Sequence, residues 1–261
     1  MEFAWYRIWT VILRYFYANT RTVSTLLDFL YWPLIDILLF GFIGTSMATQ
    51  CANNNLVLNL LTGMVLWQVT FRTNLEVAKN LLQELWDANL INFFATPLQT
   101  SEWIMGLMFL GPLSTLFTIP YGAFIVYITM GQNIFTLGWF ILVMIGLLTI
   151  GGWILGLIAA SFLIRYGQKM DSIIWAIGWL PAPFCSVYYP LETLPVWMQT
   201  ISKLLPMTYA FEAMRIFTST NTISWHHVGI SLGMNLLYLC GALALFFYMF
   251  NKSKEQGLST Q

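Results

Sequence analysis

Charge is what this sequence has least of. Asp, Glu, Lys and Arg make up only 8% of its 261 residues, against about 25% in a soluble domain. Eleven basic and eleven acidic side chains are too few to coat a soluble particle of this size. Hydrophobic residues reach 58% and the mean hydropathy is +0.71, which also excludes a disordered chain. Net charge is zero, so there is no basic footprint for nucleic acid. Cysteine is scarce too. Cys51, Cys185 and Cys240 form no CxxC pair and read as small apolar residues, although Cys51 and Cys185 fall toward one face and could meet. No GxxxxGK[ST] phosphate loop is present. His226 and His227 have no acid or cysteine at ligand spacing, so no metal site is expected, and no catalytic triad can be assembled from so few polar residues. A polytopic membrane protein remains.

The charges cluster, and the gaps between them mark the spans. None falls within 37–71, 103–164 or 216–251. One crossing of about 30 Å needs roughly 20 residues, so the middle gap fits two helices, with Gly131-Gln132-Asn133 as the turn between them. The reading is all-α, with six transmembrane helices at about 25–47, 56–75, 104–130, 134–163, 170–189 and 228–250. The apolar runs far exceed the roughly 10-residue alternating segments of a membrane barrel. The first run is also too long for a signal peptide. With the N-terminus inside, Arg7, Arg14, Arg21, Arg72, Lys79, Arg165, Lys169, Lys252 and Lys254 share the cytoplasmic side, and only Lys203 and Arg215 oppose them. That bias predicts an N-in, C-in protein.

Three segments are neither spans nor plain loops. Residues 1–24 carry Arg7, Arg14 and Arg21 at seven-residue spacing, which forms one basic stripe on a helix. Trp5, Ile8, Trp9, Ile12, Tyr15 and Phe16 cover the rest. The pattern predicts an interfacial amphipathic helix, basic side toward anionic headgroups. Residues 76–102, on the cytoplasmic side, carry amphipathic helical periodicity that stops at Pro97. Residues 190–220, on the outer side, contain two short pieces, about 195–204 and 208–218, punctuated by Pro190, Pro195 and Pro206. Each is too short to cross and could dip in and return. Glu212 and Arg215 stand three apart and could pair on one helical face, buried or solvated. Residues 251–261 form a cytoplasmic tail.

Within the spans, Asp36 is the acid placed deepest and is a candidate for lining a pathway or bonding a neighbouring helix. Asp28 falls nearer the interface, within reach of Arg21. Gly152, Gly156 and Ala160, and again Gly229 and Gly233, repeat at four-residue spacing. Such stripes let helices approach closely, within one subunit or at a dimer seam. Pro112 and Pro120 should kink the third span and free main-chain acceptors. Trp103, Trp139, Trp197 and Trp225 suit interface anchors; some aromatic residues could instead stack along a pathway.

The segments 80–106 (NLLQELWDANLINFFATPLQTSEWIMG) and 165–215, with YYPLETLP followed by LLPMTYAFEAMR, resemble the membrane-spanning subunit of ABC transporters of the ABC-2, or type V exporter, class. The amphipathic start and Trp32-Pro33 through Phe40-Gly41 are also similar, so the resemblance covers nearly the whole chain. It implies a permease of six helices behind an interfacial helix, paired with a second permease copy. Two separate ABC ATPase subunits would bind the ATP-Mg, leaving no cofactor in this chain. The setting implied is the plasma membrane, the bacterial inner membrane, among membrane lipids. Carried onto this sequence, the coupling helix falls on about 83–94, with Gln83, Glu84, Trp86, Asp87 and Asn89 as contacts and a second contact at Arg165, Gly167, Gln168 and Lys169. The outer segment, with Pro190, Glu192, Pro195, Pro206, Glu212 and Arg215, matches the re-entrant helices that shape the exit.

The expected function is the permease of an ATP-driven exporter whose cargo is a drug-like amphiphile or a lipid-linked glycan. An ion-coupled secondary transporter is the alternative, and it would need intramembrane ionisable residues and often inverted repeats. A membrane-embedded enzyme would need clustered catalytic polar residues near one face, and no such cluster is evident in the sequence.

Overall fold

The computed structural model describes residues 4–21, 23–51, 54–87, 89 and 95–255, and all regular secondary structure among them is helical. In chain order the α-helices are α1 (Trp5–Arg21), α2 (Val23–Cys51), α3 (Asn54–Trp86), α4 (Thr100–Met130), α5 (Phe140–Tyr166), α6 (Ser172–Trp179), α7 (Val196–Ser202), α8 (Pro206–Thr220) and α9 (Trp225–Glu255). Four of them, α2, α4, α5 and α9, are long and apolar enough to cross a membrane. This is a polytopic helical membrane protein.

α3 is the axis of the bundle. Its 33 residues give a rod of about 50 Å. Residues 61–75 are buried without interruption, so the apolar side chains and Thr62, Gln68, Thr70, Thr73 and Asn74 all lie inside. Glycines on the neighbouring helices let them come close to α3. A Cβ on Gly152 would lie 2.5 Å from Thr73 Cβ, and one on Gly156 would lie 2.8 Å from Val77 Cβ. The first glycine stripe therefore packs within the subunit. Increasing numbers on α5 meet increasing numbers on α3, so the two helices run parallel, while Gly111 meets Thr73 and Gly122 meets Val65, so α4 runs antiparallel. The second stripe behaves differently: nothing lies within 4 Å of a Cβ added at Gly229 or Gly233. Among the described residues, it is not used for packing inside this subunit.

Several sequence expectations change here. The second span does not end near residue 75; α3 continues to Trp86, because residues 76–86 lack Gly and Pro and keep a buried face on Val77, Ala78 and Leu81. The expected fifth span, 170–189, is not one helix. α6 has eight residues, about 12 Å against the roughly 30 Å needed, and Pro181 and Pro183 break the chain beyond it into turns. The broken segment still climbs along α3: Asn74 Nδ2 donates to Ile174 O at 3.4 Å, Phe71 packs on Trp179, and Gly63 faces Val187 O. Cys185 is a free, buried thiol with Sγ 3.8 Å from Met207 Sδ. It forms no disulfide, and the Cys51 side chain lies outside the described residues. The segment expected as a tail begins as helix, since α9 runs on to Glu255.

α1 is amphipathic as expected, and its apolar stripe packs on the chain. Ile8, Val11, Ile12 and Tyr15 are buried, with Val11 against Gly106 and Tyr15 accepting from Trp103 Nε1 at 3.1 Å. Arg7 and Arg14 pair with carboxylates of the chain, Glu102 at 3.4 Å and Glu84 at 2.8 Å, and Arg14 keeps 43% of its side chain exposed. Arg21 remains exposed, its guanidinium over Tyr17 at 5.8 Å.

Candidate functional site

The sequence-predicted coupling residues gather at the end of the bundle where α1 lies. Gln83, Trp86 and Asp87 end α3 with exposed side chains, Trp86 at 57%. Glu84, one helical step away, is only 3% exposed. Arg14 Nη2 donates to its two oxygens at 2.8 and 3.0 Å and Asn89 Nδ2 donates at 2.8 Å. Glu84 and Asn89 thus bind each other and α1 rather than presenting a free surface. Residues 90–94, the rest of the expected coupling helix, lie outside the described residues. Arg165, in the last turn of α5, and Lys169, in the 3-10 turn Gly167–Met170, reach the same end; from the Gly156–Val77 contact, nine residues along each parallel helix lead to Arg165 and to Trp86. Lys169 is exposed and Arg165 half-buried. The Gln168 side chain lies outside the described residues.

Sequence reasoning missed Glu102. This fully buried carboxylate accepts from Ala4 N at 2.8 Å and Gln99 N at 3.0 Å, beside its Arg7 pairing. Arg7 Nη1 also donates to Pro97 O at 2.8 Å. The signal was present in Gln99-Thr-Ser-Glu102, a spacing suited to a reciprocal helix cap. Glu84 and Glu102 stand on either side of the 87–99 segment, and each is held by one arginine of α1. Tyr15 directly follows Arg14 on α1. Burial and the nearby Glu84 carboxylate push its phenol well above the ordinary range, so it stays protonated.

At the opposite end, α7 and α8 are joined by the short turn 203–205, in which Lys203 and Leu204 are exposed. Pro206 opens α8 at a position where the missing N–H costs nothing. Ser231 Oγ donates to Pro206 O at 2.8 Å and Tyr238 OH to Leu204 O at 2.9 Å, which satisfies main-chain acceptors at the apex. The Glu212–Arg215 pair forms at 3.0 Å, with Arg215 11% exposed. Arg215 also donates to Ser186 O and Val187 O, and Glu212 Oε1 accepts from Leu191 N at 3.2 Å. The pair thereby ties α8 to the turns after α6. Thr218 Oγ1 reaches Asn59 Oδ1 on α3. Pro190 and Pro195 sit at the starts of the 3-10 turn Leu191–Thr193 and of α7, and both are exposed, as is Glu192.

Asp36 lies apart from both clusters, on α2, accepting from Gln68 Nε2 of α3 at 3.1 Å. Asp28 meets Lys79 at 3.4 Å rather than Arg21. Between them lies a second group that the sequence reading did not single out. Arg72, buried on α3, donates to Asp28 O at 2.6 Å and Phe29 O at 3.4 Å and stacks over the Phe29 ring at 4.4 Å. Phe29 O is an acceptor freed by Pro33, four residues on.

The family model for the ABC-2 type transporter matches residues 6–218, from α1 into the last turns of α8. The chain belongs to the ABC-2 type transporter family. A search among curated proteins found no match. The match spans both ends described above, so the clamp on α1 and the Glu212–Arg215 tie are parts of one ABC-2 permease domain. α9 lies beyond the matched residues. It packs on α5 and α8, with Asn235 Nδ2 donating to Leu147 O at 3.1 Å.

Proposed function

We propose that this ABC-2 permease forms the membrane half of an ATP-driven exporter, acting as a dimer with two ABC ATPase subunits at the α1 end, which is the cytoplasmic end. The observation that carries this reading is the unbroken course of α3. One rigid helix joins the exposed Gln83, Trp86 and Asp87 to Gly63 beside Val187 and to Asn59 beside Thr218. Force applied at Trp86 would therefore reach the α7–α8 hairpin without passing through a loop. Exposed Gln83, Trp86, Asp87 and Lys169 would meet the ATPase, with Arg165 in support. Glu84 and Asn89 would hold the segment in place. α3 and the broken 172–189 segment would complete six crossings, and the α7–α8 hairpin would be the re-entrant element at the exit, its backbone satisfied by protein as the membrane demands. Asp36, near the stacked Phe40 and Tyr188, would border the pathway. ATP-driven closure would be a two-state rigid-body change, moving a drug-like amphiphile or a lipid-linked glycan.

The test is copurification of the chain, expressed with its neighbouring reading frames. A Walker-motif ATPase should come down with it, and Asp87→Lys should lower the recovered ATPase several-fold while the permease stays monodisperse. Transport that persists with no ATPase would overturn the proposal. It would favour ion coupling, the alternative for which the buried Arg72 and the neighbouring Glu76 are the one structural argument.

A further inference from the structure

A cleft of about 420 Å³ lies between the C-terminal end of α1, the N-terminal half of α2 and α4. Its walls are mostly apolar: Phe16, Leu26, Phe29, Leu110, Leu113 and Phe117. Leu26 and Phe117 at its margin are exposed, so the cleft can be reached from the surface of the bundle. One acidic residue lines it, Glu76 of α3. Its carboxylate accepts from Ser114 Oγ at 2.7 Å, Asn80 Nδ2 at 3.1 Å and Asn19 Nδ2 at 3.2 Å. All three donors are neutral. They orient the carboxylate without an ion pair, and the charges of Arg72 and Lys79 act on it only from beyond ion-pair distance.

The cations nearest in sequence are committed elsewhere. Arg72 gives its guanidinium to the carbonyls of Asp28 and Phe29, and Lys79 pairs with Asp28. Among the described residues, Glu76 takes part in no ion pair. A carboxylate beside an apolar cleft, oriented but not neutralised, is costly by itself and gains most from a cation brought in with its own apolar body. A neutral amphiphile would fill the walls and leave the charge unanswered, and an anion would be repelled.

We propose that this cleft is a binding site for hydrophobic organic cations, with Glu76 as the counter-charge and Asn19, Asn80 and Ser114 as the residues that position it. Binding needs only the purified chain. A role for the site in loading cargo would rest on the permease reading above, and would select the amphiphile over the glycan.

The test uses the full chain in detergent, with tetraphenylphosphonium as the probe and empty micelles as the blank, by equilibrium dialysis. Saturable binding is expected, weaker by about tenfold or more in Glu76→Gln and likewise in Leu113→Trp, which fills the cleft and keeps the charge. Triphenylmethanol, a neutral body of similar bulk, should bind less well and be indifferent to Glu76→Gln. Should Glu76→Gln fail to give a monodisperse protein, Leu113→Trp decides alone. Absence of saturable binding overturns the proposal, and so does binding that survives Leu113→Trp. Binding lost in Leu113→Trp yet unchanged in a folded Glu76→Gln overturns the assignment to cations. Because no ATPase is present, recovery or loss of an ATPase partner in the copurification has no bearing on the result.

Discussion

Pro33 and Pro112 each leave a carbonyl without its helical donor, and in both cases a side chain from another helix takes it. Behind Pro33, Phe29 O receives Arg72 and Leu30 O receives Tyr121 OH at 2.9 Å. Behind Pro112, Met108 O receives Trp153 Nε1 at 2.8 Å. A buried acceptor left unmade costs about 1–3 kcal/mol. Trp153→Phe should therefore lower stability by about 1 kcal/mol, read from thermal unfolding in detergent. In a Pro112→Ala background the carbonyl regains its own helical donor and the same substitution should cost measurably less. Equal costs in the two backgrounds would break the link between proline and indole. The kinks were legible in the sequence because proline acts locally. Their partners were not, since Arg72 and Trp153 stand 43 and 45 residues away.

At the scale of elements, α1 behaves as a strap across both margins of the 87–99 segment. Arg14→Ala would leave Glu84 a buried carboxylate with Asn89 but without its guanidinium, and should loosen α1 by about 1–3 kcal/mol. Faster amide exchange across 5–21 would report it. The double exchange Arg14→Glu with Glu84→Arg should recover most of the protection, whereas loss of packing alone would not be rescued. The seven-residue spacing of the arginines was visible at once and correctly indicated one stripe. What that stripe faces depended on two carboxylates far along the chain. The tertiary structure thus supplied partners that the spacing could not name. The α6 region taught a related lesson: hydropathy over 170–189 suggested a crossing, while Pro181 and Pro183 limit the helix to eight residues.

For the whole molecule, the proposed orientation makes a direct prediction. In a variant lacking the native cysteines, cysteine placed at Trp86 or Asn251 should react with a membrane-impermeant maleimide from the cytoplasmic side, and cysteine at Trp197 only from the other. All three positions are exposed. Labelling of Trp86→Cys and Trp197→Cys from the same side would refute the N-in arrangement and the crossing of α3 with it. The exposed second glycine stripe on α9 belongs to this scale as well, since a close-packing surface unused inside the subunit leaves room for another helix.

The sequence alone determined that the chain lives in a membrane, that it is helical, where its long apolar helices lie, and that it resembles the ABC-2 permeases. Those properties follow from composition, run length and local motif, and they need no knowledge of neighbours. The tertiary structure alone decided that α3 continues from the core to the α1 end, that Glu84 and Glu102 hold α1, and that Glu76, in no ion pair among the described residues, stands beside an apolar cleft. Each depends on which side chains meet across tens of residues. In a chain with so few charges, partner choice is settled by packing geometry, because the sequence pattern records where a charge is and not what answers it.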